Sequence, residues 1–130
     1  MRVLRSAAIV GALLMLAVSA ATAAPADPFK GAWVSVDNDG SNQRLSFGGA
    51  GSTRSVSLFD DGASACGYPE VNVSARLSGR GTIDGDTLTV DLAGQCSPGG
   101  DPIGATVEYS APGDGTLVDS FGVTWHRPGS

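Results

Sequence analysis

The stretch Gly81-Thr82-Ile83-Asp84-Gly85-Asp86-Thr87-Leu88-Thr89-Val90-Asp91-Leu92 decides the fold. Leu88, Val90 and Leu92 alternate with Thr87, Thr89 and Asp91. This is the period-two pattern of a strand with one buried face. The segment before it is short and ends in Asp84-Gly85, a pair that supplies the positive φ of a hairpin turn. Two short strands joined so tightly must pair antiparallel.

The same pattern extends in both directions. Trp33 to Val36 reads as a strand after Gly31. Gln43, Leu45 and Phe47 alternate with Arg44 and Ser46, and Val56 and Leu58 with Ser55 and Ser57. Val71, Val73, Ala75 and Leu77 form one set, and Ile103, Ala105, Val107 and Tyr109 another. Thr116 to Val118 and Val123 to Arg127 close the chain. Asp39-Gly40, Asp61-Gly62 and Asp114-Gly115 repeat the turn signal, and Ser97-Pro98-Gly99-Gly100-Asp101-Pro102 is a longer break. No segment after residue 26 carries helical periodicity. Eight or nine short strands in a hairpin meander predict an all-β chain whose simplest closure is an antiparallel up-and-down barrel of about eight strands. A two-sheet β-sandwich is the alternative.

The first 26 residues read differently. Arg2 and Arg5 precede an apolar run from Ala7 to Ala21, and small-residue exits follow at Ala21-Thr22-Ala23 and Ala24-Pro25-Ala26. A charged start, a short apolar core and an Ala-x-Ala exit describe a secretory signal peptide. The run is too short to span a bilayer, which takes about 20 residues. The expected organisation is a leader over 1–26 and one β-barrel domain over 27–130, secreted to the periplasm or the exterior, with no membrane span once the leader is removed. The full chain has 130 residues and a net charge of −5. Without the leader it has 104 residues, 6 basic and 13 acidic, for a charge of −7. That balance argues against nucleic acid as a partner, because phosphate neutralisation needs a basic surface.

Cys66 and Cys96 are the only cysteines. An exported chain meets oxidising conditions, and two cysteines allow one intramolecular bridge. A structural disulfide is therefore expected. Cys-x-x-Cys redox spacing is absent, and one histidine with two cysteines is too few for a zinc or iron–sulfur site.

Candidate chemistry is sparse. His126 is the only histidine. No Gly-x-Ser-x-Gly elbow accompanies it, and its alternation with Trp125 and Arg127 points it outward. Asp37-Asn38-Asp39-Gly40-Ser41 has a faint likeness to a calcium loop, but its glycine falls too early, so it reads as a turn. No catalytic residue, cofactor or metal site is expected, and the chain is not expected to be an enzyme.

Two motifs remain at the ends of the barrel region. Gly31-Ala32-Trp33 opens the first strand and Trp125-His126-Arg127 ends the last. Gly-x-Trp followed by a terminal arginine resembles the calycin superfamily, which includes lipocalins, avidin-like proteins and small protease inhibitors. The resemblance implies that Gly31, Trp33, Trp125 and Arg127 form the barrel closure, with Arg127 stacked on Trp33. The chain is short for a lipocalin and has two tryptophans where avidin-like biotin sites use several, so no ligand residue carries over. The longer pattern also resembles a type of small secreted bacterial domain: Gly31-x-Trp33, Asp60-Asp61 before Cys66-Gly67, Gly85-Asp86-Thr87-Leu88, and Leu117-x-Asp119-x-x-Gly122-x-x-Trp125-x-Arg127. That resemblance brings no activity with it. The expected function is binding of a small apolar ligand or a peptide in the barrel, with a protein-interaction module such as a protease inhibitor as the alternative.

Overall fold

The structure is a computed structural model that describes residues 26–130. All of the expected leader except Ala26 lies outside the described residues. Eight strands follow in chain order: β1 (Gly31–Val36), β2 (Asn42–Gly48), β3 (Thr53–Asp60), β4 (Ser74–Asp84), β5 (Thr87–Ser97), β6 (Pro102–Ser110), β7 (Leu117–Asp119) and β8 (Thr124–Trp125). A single 3-10 turn, Ser64–Cys66, lies between β3 and β4. Every strand pairs antiparallel with its neighbours in sequence, giving one sheet in the order β1 to β8. A single sheet with this order excludes the sandwich. The sheet curls until its edges meet: Val34 and His126 exchange backbone hydrogen bonds of 2.8 and 2.9 Å. The up-and-down barrel is thus nearly closed.

The alternating sequence becomes an inside and an outside. Leu45 and Phe47 of β2, Val56 of β3, Leu88, Val90 and Leu92 of β5, and Val107 and Tyr109 of β6 are buried, while the residues between them are exposed. The separate strands expected around Ala75 and Gly81 form one 11-residue strand, β4, which begins at Ser74 and leaves Val71 outside the sheet. The hairpin turn after it is the two-residue Gly85-Asp86, with Asp84 opposite Thr87.

The aromatic residues divide. Phe29, Phe47, Tyr109 and Trp125 run along the interior as consecutive edge-to-face pairs with centroids 5.8, 5.6 and 6.3 Å apart, the geometry that aromatic quadrupoles favour. Phe59 instead lies on the outer face, between Arg44 and Arg76, whose guanidinium carbons sit 4.9 and 4.6 Å from its ring centroid. Phe121 is exposed in the β7–β8 turn.

Cys66 and Cys96 form a disulfide with Cα atoms 5.7 Å apart. It ties the β3–β4 connection to the end of β5. Among the described residues no helix is long and apolar enough to cross a membrane, which says nothing of spanning by strands.

Candidate functional site

The two ends of the barrel differ. At one end the chain entering β1 folds across the opening. Phe29 fills it, and Arg54 reaches inward from β3 beneath it. Arg54 donates to the carbonyl oxygens of Gly51 and Phe29 and to the Asp27 carboxylate at 2.7 Å. This is the sole ion pair among the described residues. Burial raises the Asp27 pKa, but the hydrogen bonds from Arg54 and the Phe29 amide and the charges of Arg54 and Lys30 outweigh it. The net shift is downward.

Three of the four residues quoted for the closure motif, Gly31, Trp33 and Arg127, gather at this sealed end. The Trp33 indole donates to the Pro28 carbonyl at 3.0 Å. The Arg127 guanidinium lies 4.0 Å from the Trp33 ring centroid. It donates to the carbonyls of Lys30 (2.6 Å), Ala32 (3.1 Å) and Asp27 (3.2 Å). Gly31 has φ +76°, and a Cβ there would come 3.3 Å from Arg127 Nη1. A side chain at position 31 would be strained and would crowd the guanidinium. Trp125 is not part of this stack. It lies deeper in the barrel, where its indole donates to Asp119 Oδ2 at 3.0 Å. Asp119 Oδ1 accepts from the Phe121 and Val123 amides at 2.9 and 3.0 Å, so both of its oxygens are engaged.

The other end opens into a cavity of about 620 Å³. Its walls are the inward side chains Leu58, Ala75, Leu77, Leu92, Ile103, Ala105 and Val107, together with the buried Tyr109, Asp119 and Trp125. Burial, with a smaller effect from the Asp119 charge, holds the Tyr109 hydroxyl protonated far beyond the usual phenol range. The rim consists of Asp37, Asn38 and Asp39 from the β1–β2 loop, Ala63 to Ala65 beside the disulfide, and Phe121. Gln43 and Asp60 stand just inside it.

Two of these polar residues sit where period-two alternation places apolar ones. Gln43 shares a face with Leu45 and Phe47, and Asp60 shares one with Val56 and Leu58. Gln43 is 9% exposed and Asp60 is 7% exposed. Asp60 accepts from the Ser41 hydroxyl at 2.8 Å and from Gln43 Nε2 at 3.2 Å. Burial raises its pKa against those hydrogen bonds, and the negative charges of Asp37 and Asp39 add to the rise. Asp39 Oδ1 accepts from the Ser41 amide. Asp39 Oδ2 and Gln43 Oε1 are buried and have no partner. Sequence reasoning passed over Arg54, Gln43 and Asp60. The available signal was a polar residue in register with an apolar face.

A second hollow, about 1510 Å³ and wide open, lies on the outer sheet surface around Arg44, Phe59 and Arg76. His126 is exposed at the β1–β8 seam. No cluster of three or more His, Cys, Asp or Glu side chains among the described residues is placed to hold a metal ion. Comparison with protein-family models, with curated proteins and with solved structures finds no match.

Proposed function

We propose that this chain is an exported binding protein, without catalytic activity, that takes a small and largely apolar ligand or peptide segment into the open end of its barrel. The observation that carries this reading is the cavity of about 620 Å³, walled by aliphatic side chains together with Tyr109 and Trp125. Ligand sites are concave, mostly apolar spaces of about 300–1,000 Å³ with a few placed polar groups. An eight-stranded barrel has room for packed side chains or one small ligand. Here the sealed half is packed and the open half is hollow. The Cys66–Cys96 bridge anchors one side of the rim and suits an oxidising compartment outside the cytosol. The antiparallel barrel, with Arg127 over Trp33, is consistent with a calycin-like relationship.

The interaction-module reading draws on the outer hollow around Arg44, Phe59 and Arg76. Residues Asp27 to Lys30 are tied into the sealed end and offer that reading no free arm.

The test is titration with the uncharged dye Nile red, whose fluorescence rises in apolar surroundings, against the wild type and Ala105→Phe. Ala105 is half-buried on the cavity wall, so the added ring occupies the space. The expected result is saturable one-to-one binding that Ala105→Phe weakens at least tenfold. No saturable binding, or equal binding by the two proteins, would overturn the proposal.

A further inference from the structure

The buried polar atoms that lack a partner at this cavity have the same sense. Gln43 Oε1 and Asp39 Oδ2 are buried acceptors without donors. The orientation of the Gln43 amide follows from its neighbour: an ionised carboxylate only accepts, so the amide nitrogen must face Asp60 and the oxygen is left over. Leaving such an atom unpaired in a buried site is costly, because its hydration is lost with nothing in exchange. Two of them lining one cavity mark a place where a partner is missing.

The charge around them has one sign. Asp37, Asp39 and Asp60 line the rim and the cavity just inside it, and no Lys or Arg does. The described cations lie elsewhere: Arg54 with Asp27, Arg127 on Trp33, Arg44 and Arg76 against Phe59 on the outer face, and Lys30 and Arg80 exposed away from the cavity. Burial raises the Asp60 pKa, and the negative charges of Asp37 and Asp39 add to the rise. Below this rim the walls are aliphatic. An occupant that satisfies the whole cavity carries hydrogen-bond donors and positive charge at one end and an apolar body at the other. A bare divalent cation would leave the apolar part empty and finds no grouping of ligands among the described residues.

We propose, resting on the binding reading above, that the barrel takes cationic amphiphiles whose head carries N–H donors, a primary or secondary ammonium, with the head held between Asp39 and Gln43 and the apolar tail among Leu77, Leu92 and Val107. The head donates to Asp39 Oδ2 and Gln43 Oε1, and the Asp60 carboxylate stands next to Gln43 behind it. Hydrogen bonds to ionised groups are about twice as strong as neutral ones, so the head sets selectivity while the tail supplies affinity.

The experiment measures binding of four probes with one tail, below their aggregation concentrations, by calorimetry: dodecylammonium, dodecyltrimethylammonium, dodecanol and dodecanoate. Dodecylammonium is expected to bind at least tenfold more tightly than dodecanol, which corresponds to at least 1.4 kcal/mol. Dodecyltrimethylammonium, which has charge but no N–H, is expected to fall well below dodecylammonium, and dodecanoate is expected to bind worst. Asp39→Asn keeps the Oδ1 acceptor used by Ser41 and removes the charge. It should cut the preference for ammonium over alcohol about tenfold. Equal affinity for dodecylammonium and dodecanol, or for dodecylammonium and dodecyltrimethylammonium, would overturn the head-group assignment and leave the barrel-binding reading intact. Failure of every probe to bind would overturn both.

Discussion

Replacing Arg127 should test how the sealed end is held. Its guanidinium stacks 4.0 Å from the Trp33 ring centroid and donates to three backbone carbonyls, those of Lys30, Ala32 and Asp27. A partly buried cation–π contact contributes about 1 kcal/mol. A hydrogen bond from a charged donor contributes about 1.5–3 kcal/mol when buried. Two of these three are exposed, so water replaces much of their value, and about 0.5 kcal/mol each is the fair figure for them. The third, to the Asp27 carbonyl, is part-buried and counts for about 1 kcal/mol, so Arg127→Ala should cost about 3 kcal/mol. For a domain near 100 residues, this lowers Tm by roughly 10–20 °C. Arg127→Lys keeps the charge but loses the planar fork that reaches three carbonyls at once, and it should cost about 1.5–2 kcal/mol. Urea unfolding followed by tryptophan fluorescence reads these losses directly, with the m value reporting whether the folded state stays compact. If Arg127→Ala costs less than about 0.5 kcal/mol, or Arg127→Lys matches the wild type, the reasoning that this residue latches the barrel end is refuted.

Three further outcomes follow from other parts of the structure. Cys66→Ser/Cys96→Ser opens a loop with a sequence separation of 30 and should lower stability by roughly 3–4 kcal/mol in the chain-entropy model, checked by urea unfolding against the oxidised wild type. Gly94→Ala would place a Cβ 1.7 Å from the Arg76 carbonyl oxygen; forcing the β4–β5 ladder apart should cost at least about 2–3 kcal/mol, and a loss under about 1 kcal/mol would show that the curl at this point relaxes freely. Burial raises the Asp60 pKa above its ordinary 3.8, so between those values the folded state holds more protons than the unfolded one. Stability from this carboxyl is full below the unfolded pKa and is lost as pH rises through the folded one. Asp60→Asn should therefore gain on the wild type as pH rises from about 3 to 7, and unfolding curves across that range that run parallel would contradict it.

The fold was legible because most strands bury one face. Leu88, Val90 and Leu92, or Gln43, Leu45 and Phe47, announce both strand and facing. The β4 strand was harder, since the set ending at Leu77 and the short segment from Gly81 read as two strands, divided where Gly79 and Gly81 fall. In the structure they are points of close approach inside one curved strand: a Cβ on Gly79 would meet the Asp91 carbonyl oxygen at 2.2 Å, and one on Gly81 would meet Leu88 at 2.5 Å. Glycine marks tight curvature as readily as it marks a turn. The facing of the aromatic residues was legible only in part. Phe59 and Phe121 do not fill the core, because β3 parity puts Phe59 outside with Arg44 and Arg76, and Phe121 sits in a turn.

The cavity was not legible, because its volume depends on how a curled sheet distributes small and large side chains across strands distant in sequence. Ala75, Ala105 and Leu92 are ordinary strand residues until the barrel brings them together. The polar residues of the site were visible in principle. Gln43, Arg54 and Asp60 all fall on the apolar parity of their strands, and a polar group there is either paired or waiting for a partner. Arg54 is paired, and Gln43 is half paired.

The central claim is that the ligand goes inside the open end of the barrel. The most direct measurement is an NMR chemical-shift map of the isotope-labelled protein titrated with Nile red. Binding inside should shift Leu77, Leu92, Ile103, Val107 and the Trp125 indole together, saturating at one equivalent, and leave Arg44, Phe59 and Arg76 unmoved. Shifts confined to the outer surface around Phe59, with the inward residues unchanged, would contradict the account.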